Sequence, residues 1–193
     1  MDSQRKWLPV RDICIISVFT AIIVVCAQIR IPLGPVPFTL QTWGVALAGL
    51  VLGSKKGTLA VLVYIALGAA GVPVFNGFTG GFARIIGHTG GFIVTFPLMS
   101  LLAGFAASNG VIKAIKKHGR SVYLGTALIL SVGVAANLVA GMLWFGVVME
   151  QEMFAAFMAA AAPFIPGGVL QALVLPLVSE RIKAALHKAR LLV

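Results

Sequence analysis

The sequence predicts an all-α integral membrane protein, a bundle of six transmembrane helices with both termini in the cytoplasm. Two observations support this fold class. Of the 193 residues, 60% are hydrophobic and only 10% are charged, whereas about a quarter of the residues in a soluble domain are charged. The charges also fall in short clusters, and the stretches between them can cross a bilayer, which takes roughly 20 apolar residues. We therefore expect one membrane domain with almost no soluble part.

Six apolar stretches are separated by proline, glycine or charged residues. The first ends at a cluster of three prolines, Pro32, Pro35 and Pro37, because proline cannot continue a helix. It is longer than the apolar core of a typical signal peptide and has no small-residue cleavage site after it, so we expect it to remain as a span. The approximate spans are 12–29, 38–53, 57–71, 90–108, 121–149 and 163–183.

The distribution of lysine and arginine predicts the orientation. With six spans, thirteen of the fifteen basic residues lie on one side, which the positive-inside rule assigns to the cytoplasm. These thirteen are Arg5, Lys6, Arg11, Lys55, Lys56, Lys113, Lys116, Lys117, Arg120, Arg181, Lys183, Lys188 and Arg190. Small basic groups at helix ends also argue against nucleic-acid binding, which places basic residues together on one soluble face.

The outer segments have an unusual composition. The loops at 31–37 and 73–89 mix glycine, proline and aromatic residues, and they carry or adjoin the two remaining basic residues, Arg30 and Arg84. Such loops can fold back on the helices and let glycine backbone approach a ligand. Irregular backbone at this depth is tolerated where it is buried in protein or lines a cavity. We therefore expect these two loops to cover a cavity on the outer side.

Arg84 is the first candidate for binding an anionic group. Its guanidinium offers a planar fork that matches a carboxylate, and its Gly-Gly-Phe context favours this interpretation over an arginine that reaches the lipid head groups. For Arg30, just past a span end, the head-group anchor is the favoured interpretation. His88 is expected to hydrogen-bond within its loop rather than to act as a ligand.

A few polar side chains lie in or at the ends of the predicted spans. A polar residue there is by default a functional-site hypothesis, and the alternative is a hydrogen bond between helices, worth about 0.6–2 kcal/mol. We favour the site for Gln41 and Gln171, near the outer mouth, and leave both interpretations open for Asn137. Phe75 and Trp144 can supply apolar walls, although a single aromatic residue in such a chain more often serves in packing or as an interfacial anchor.

The sequence lacks the residues of an energy source or an enzyme. It has no G-x-x-x-x-G-K-[ST] phosphate loop, no nucleophile–base pair and no metal cluster, and Cys14 and Cys26 show neither metal nor disulfide spacing. The acids nearest the spans, Asp12 and Glu180, are at cytoplasmic ends, whereas an ion-coupled carrier usually keeps a carboxylate at midplane. We expect no enzyme, no cofactor and no metal, and a stand-alone carrier is the disfavoured alternative to a binding subunit powered by other proteins.

Small residues four positions apart mark one face of the first span. Ser17 and Ala21 would let another helix approach closely. This face either docks a partner helix or packs inside the bundle.

Four motifs carry a resemblance to a known family. They are Pro35-Val-Pro-Phe-Thr-Leu-Gln-Thr42, Gly71-Val-Pro-Val-Phe75, Gly87-His-Thr-Gly-Gly-Phe92 and Pro163-Phe-Ile-Pro-Gly167. In this order and spacing they resemble the BioY family, the biotin-binding S components of energy-coupling factor (ECF) transporters. The resemblance implies a six-helix protein of a prokaryotic plasma membrane that binds its vitamin on the outer side, under loops 31–37 and 73–89. It also implies a transmembrane coupling protein (T component), docked at Ser17 and Ala21, and two ATPase subunits as partners.

The start of the last helix departs from the family pattern. Family members usually have Pro-Gly-Asp-x-x-Lys there, with the acid and the base taken as ligand contacts, but this chain has Gly168 and Gln171 at those positions. Biotin remains the expected ligand. Lipoate, which has a carboxylate tail and no ureido group, is the alternative, with Arg84 as the partner of the carboxylate. The candidate substrate-binding residues are Thr39, Gln41, Phe75, Asn76, Arg84, Asn137, Trp144, Gly168 and Gln171.

Overall fold

The computed structural model describes residues 9–32, 34–108, 119–189 and 191. The basic residues predicted between the fourth and fifth spans at 113–117 lie outside this described part. The helices are α1 Val10–Gln28, α2 Gln41–Ala69, α3 Phe82–Ile86, α4 Gly90–Ser108, α5 Gly119–Val148, α6 Met153–Ala160 and α7 Ile165–Lys188, with a 3-10 turn at Ala162–Phe164. The helical class predicted from the sequence is confirmed for the described residues, apart from one small antiparallel pair, β1 Arg30–Ile31 with β2 Phe38–Thr39.

Five described segments are long and apolar enough to cross a membrane by length and composition. They are Val10–Gln28, Gln41–Ala69, Gly90–Ala107, Tyr123–Val148 and Met153–Lys188. The last of them contains α6, the 3-10 turn and α7, so the connector expected before the final span is itself partly helical.

α2 reverses its direction at Gly53. This residue has φ 82° and ψ 173°, a conformation that glycine adopts readily because it has no Cβ. Gln41 and Tyr64, 23 positions apart, hydrogen-bond at 2.8 Å, whereas one continuous helix would hold them about 35 Å apart at 1.5 Å per residue. Residues 41–52 and 54–69 therefore form two antiparallel halves, in the regions predicted as separate spans.

Small residues let α4 pack closely on α2, the most extensive contact between helices in the described part of the chain. A Cβ on Gly49 would overlap the carbonyl oxygen of Ser100, and a Cβ on Gly104 would overlap the backbone of Ser54. Lipid tails are as apolar as the helices themselves, so close packing of this kind is a main source of helix association in membranes. α5 packs on the other side of α4, and α1 packs on α2.

An ion pair joins the start of α1 to the turn of α2. The carboxylate of Asp12, a residue only 6% exposed, lies 2.7 Å from Nζ of Lys56. Because Lys56 follows the reversal at Gly53, this contact places the N-terminal end of α1 beside that turn. We call this the Asp12 end of the bundle.

Hydrogen bonds at the other end of α1 hold the segment 73–89. Nε2 of Gln28 donates to the carbonyl oxygen of Phe75 at 3.2 Å, and the backbone N–H of Phe78 donates to Oε1 of Gln28 at 2.9 Å. The amide nitrogen and the amide oxygen of Gln28 thus both hold the segment 73–89 in place. We call this the Gln28 end of the bundle.

Replacing Gly49 by leucine should lower the free energy of unfolding by about 1–3 kcal/mol, the usual cost of overpacking a tight contact. The added side chain has no room against Ser100. Thermal unfolding of the purified protein in detergent measures the effect. Gly125→Leu is the matched control, because a Cβ on this helical glycine meets nothing within 4 Å. Equal losses in the two variants would contradict the close α2–α4 contact.

Candidate substrate-binding site

A cavity lies at the Gln28 end, between the start of α2, α4, α5, the start of α7 and the segment 73–89. Its volume is about 80 Å³, and by the same measure a single water needs about 10–15 Å³. The cavity therefore has room for a small molecule. Val36 and Pro37 of the loop 31–37 also contribute to its wall, so both of the glycine- and proline-rich loops border it, as expected from their composition.

Aromatic rings form much of the cavity wall. Phe38 and Phe164 are stacked, with ring centroids 5.9 Å apart, and Phe92 lies 6.2 Å from Phe164. Gly167 makes room for this arrangement, since a Cβ there would overlap the ring of Phe38. Phe75 also lines the cavity, and its ring meets that of Tyr64 edge-on, with ring centroids 5.5 Å apart. Walls of this kind suit an apolar ring system in the ligand.

Two buried amides face the cavity from α5 and α7. Asn137 is 2% exposed and Gln171 is 1% exposed, and both line the cavity. Nδ2 of Asn137 donates to the carbonyl oxygen of Phe92 at 2.9 Å. Nε2 of Gln171 donates to the carbonyl oxygen of Thr42 at 3.2 Å. Asn137 thus links α5 to α4, and Gln171 links α7 to α2.

Gln41, in the first turn of α2, adds a third buried amide. It is 6% exposed, and its Nε2 lies 2.8 Å from the hydroxyl of Tyr64. This hydrogen bond joins the two halves of α2 across the reversal. The same contact therefore positions a cavity-lining side chain and closes the hairpin.

Arg84 brings a positive charge to the cavity. It belongs to the short helix α3, is half-buried and lines the cavity. Within the described residues, the ion pairs are centred on Asp12 and Glu180, so the guanidinium of Arg84 has no carboxylate partner there. A cation beside an apolar cavity can bind an anion, and a carboxylate fits its planar fork.

Most of the sequence-predicted candidates come together around this cavity. Eight of the nine line it, and they are Thr39, Gln41, Phe75, Asn76, Arg84, Asn137, Gly168 and Gln171. Trp144 is the exception. It is 38% exposed, and its indole N–H donates to the carbonyl oxygen of Gly87 at 2.9 Å. Trp144 therefore holds the end of the segment 73–89 rather than lining the cavity.

Several residues of the cavity wall are not among the candidates predicted from the sequence. Phe92 and Phe164 line the cavity. They belong to two of the four family motifs, and membership in a motif is the sequence feature that could have indicated a role at the site. Val134 and Met99 also line the cavity, but an apolar residue inside a span gives no sequence signal that separates a cavity wall from a lipid-facing surface. Val134 matters for the last-helix departure, because its Cγ1 would be 2.8 Å from a Cβ on Gly168. It fills the space that a side chain at 168 would need.

Comparisons with known proteins agree with this architecture. The family model described as "BioY family" matches residues 1–188. A probable biotin transporter BioY of Pyrococcus horikoshii is 36% identical over 173 residues, which cover 90% of this chain and 96% of the relative. A biotin transporter BioY of Thermotoga maritima is 46% identical over 123 residues, which cover 61% of this chain and 69% of the relative.

A solved structure extends the agreement to the fold. The crystal structure of the S-component for biotin from an ECF-type ABC transporter superposes with a TM-score of 0.81 at 27% identity, covering 95% of each chain. The resemblance inferred from four short motifs is therefore confirmed over nearly the whole sequence, and the chain belongs to the BioY family.

Proposed function

We propose that this protein is the biotin-binding S component of an ATP-driven ECF importer in a prokaryotic plasma membrane. The observation that carries the proposal is the pairing of an aromatic-walled cavity with Arg84, a cation that has no carboxylate partner among the described residues. Biotin consists of a compact ring system and a carboxylate tail, so it matches both parts. The names of the similar proteins support the same ligand.

The burial of the lining residues suggests how the ligand lies. Asn137 and Gln171 are almost fully buried, whereas Arg84 and Asn76 are only half-buried. The ring system then enters first and lies between the phenylalanines, and the carboxylate stays nearer the mouth with Arg84. Loops 31–37 and 73–89 cover the bound molecule from the outer side.

Transport requires energy that this chain does not supply. The proposed source is a pair of ATPase subunits coupled through a T component, which docks on α1. Ser17 and Ala21 are both exposed on that helix, and Val25, one turn further, is 61% exposed. The hydroxyl of Ser17 donates to the carbonyl oxygen of Ile13 at 2.9 Å, so the face offers no unpaired donor and can meet another helix in lipid.

The proposed topology has six crossings, with both termini in the cytoplasm. The reversal at Gly53 supports counting α2 as two crossings. The contact of Asp12 with Lys56 supports placing the start of α1 and the α2 turn on one side, which is the side rich in lysine and arginine. The Gln28 end, with the cavity, then faces the exterior.

The alternatives have less support. A stand-alone ion-coupled carrier usually keeps a carboxylate near the membrane midplane. In the described part of the chain, Asp12 is in the first turn of α1 and paired with Lys56, and Glu180 is in the second half of α7. The other described acids, Glu150 and Glu152, lie in the connector before α6. Lipoate was considered because Gly168 and Gln171 replace the acid and base of the family. No feature of the cavity favours it over biotin.

Arg84→Gln should weaken biotin binding by about 10- to 100-fold, since a hydrogen bond to a charged group contributes about 1.5–3 kcal/mol. Titration calorimetry of the purified protein measures this loss. Biotinol, the alcohol that lacks the carboxylate, should bind Arg84→Gln and the unsubstituted protein equally. Arg30→Gln is the matched control, because Arg30 is an exposed outer arginine that does not line the cavity. An Arg84→Gln variant with unchanged affinity for biotin would remove the carboxylate clamp.

Ala21→Leu should prevent co-purification of the T component and the ATPases while biotin still binds, because a larger side chain on this face blocks close helix approach. The readout is pull-down of the tagged protein from membranes that contain all subunits. Ala135→Leu is the control, an exposed alanine on α5. If Ala21→Leu keeps its partners, the docking face is elsewhere. If it loses biotin binding as well, this face packs inside the bundle.

A further inference from the structure

We infer that the buried end of the cavity recognises a neutral head group with N–H donors, through the side-chain carbonyl oxygens of Asn137 and Gln171. The inference rests on the proposed function and specifies the ligand chemistry of the same site. Gly168 has no side chain that could accept a hydrogen bond from the ligand, and the two amide oxygens would accept it instead.

The NH₂ group of Asn137 is fully engaged. One N–H donates to the carbonyl oxygen of Phe92 and the other to Oγ1 of Thr95, at 2.9 and 2.7 Å. A backbone carbonyl only accepts, which fixes which end of the amide is nitrogen. The hydroxyl of Thr95 directs its own hydrogen to the carbonyl oxygen of Gly91 at 2.9 Å, so it accepts from Asn137. The oxygen Oδ1 of Asn137 is left with no donor among the described residues.

Gln171 differs in that only one of its two amide N–H groups has an acceptor among the described residues. Its Nε2 donates to the carbonyl oxygen of Thr42 at 3.2 Å, and this acceptor again fixes the nitrogen end of the amide. No described residue donates to Oε1. Gln41 is not part of the inference, because its partner, the hydroxyl of Tyr64, can either donate or accept.

Both free oxygens open on the cavity. Side-chain polar atoms that are sealed from solvent and unpaired do occur in the described part of the chain, for example in Ser100 and Thr58. Neither Oδ1 of Asn137 nor Oε1 of Gln171 is among them. Since Asn137 and Gln171 are 2% and 1% exposed and line the cavity, the space that these oxygens reach is the cavity itself.

The charge of this wall indicates a neutral head group. Among the described residues that line the cavity, Arg84 is the one with a permanent charge, and none of them is a carboxylate. A cationic head would therefore lack a counter-ion, and an anionic head would face carbonyl oxygens. A ligand without N–H groups would bury both oxygens unpaired, which is unfavourable. A cyclic urea, with two N–H donors and no net charge, satisfies these conditions, whereas the dithiolane ring of lipoate does not.

The first test compares three ligands on the unsubstituted full-length protein by titration calorimetry. Desthiobiotin keeps the cyclic urea and the carboxylate but lacks the sulfur ring, and lipoate keeps a sulfur ring and the carboxylate but lacks the urea. We expect desthiobiotin to bind within about tenfold of biotin. Lipoate should bind at least about 100-fold more weakly than biotin, from about tenfold for each acceptor left unpaired.

The second test removes one acceptor at a time. Gln171→Met keeps the length of the side chain and should weaken binding of biotin and desthiobiotin about tenfold. Asn137→Leu should do at least as much, because it also removes the bonds to Phe92 and Thr95. Gln151→Met is the matched control, an exposed glutamine in the connector before α6, and it should bind as the unsubstituted protein does. Thermal unfolding of each variant reports whether it is folded.

The outcomes separate this inference from the proposed function. If biotin binds but lipoate binds as tightly, or if folded Gln171→Met and Asn137→Leu bind biotin normally, the amide oxygens do not read the head group and the biotin assignment stands. If the unsubstituted protein binds neither biotin nor desthiobiotin, the proposed function is wrong, and the inference fails with it.

Discussion

The need to pair every polar group without water shapes this protein more than any other constraint. In the hydrocarbon core, an unpaired N–H or carbonyl group is unfavourable by several kcal/mol. Several polar side chains of the spans accordingly donate to backbone carbonyls of other segments, as Thr20 does to Ala60 at 3.0 Å and Asn137 to Phe92 at 2.9 Å. These bonds fix how the helices face one another. They also leave the amide oxygens of Asn137 and Gln171 without a donor among the described residues, at a cavity where a ligand would replace water.

The cavity depends on how the chain is folded back at two places. The reversal at Gly53 returns the second half of α2 to the first, so that Tyr64 supports Gln41 at the cavity wall. At the Gln28 end, Gln28 holds the segment that carries Arg84. A rigid helical frame thus carries the amides, and a loop tied to that frame carries the cation. In the proposed complex, residues of the helices bind the ring system, and the loop binds the carboxylate through Arg84.

The parts of this account that the sequence predicted are those that depend on a strong local signal. Apolar length and charge clusters predicted the membrane class, and an isolated arginine in a glycine-rich loop pointed to Arg84, which lines the cavity. The strands β1 and β2 have two residues each. They are too short to show the alternation of polar and apolar residues that predicts a strand, so the sequence does not predict them. Trp144 was placed in the site because hydropathy cannot tell which way an aromatic residue points. The sequence cannot decide whether Asn137 contacts another helix or belongs to the site. In the structure its amide nitrogen donates to α4, and the residue also lines the cavity.

The most direct test of the account is the structure of the full-length protein with biotin bound, determined in a lipid nanodisc. It should place the ureido nitrogens about 2.7–3.2 Å from Oδ1 of Asn137 and Oε1 of Gln171, with the carboxylate against the guanidinium of Arg84. The ring system should lie between Phe38, Phe92 and Phe164. A reversed ligand, with the ureido group at Arg84, or a ligand bound outside this cavity, would contradict the account.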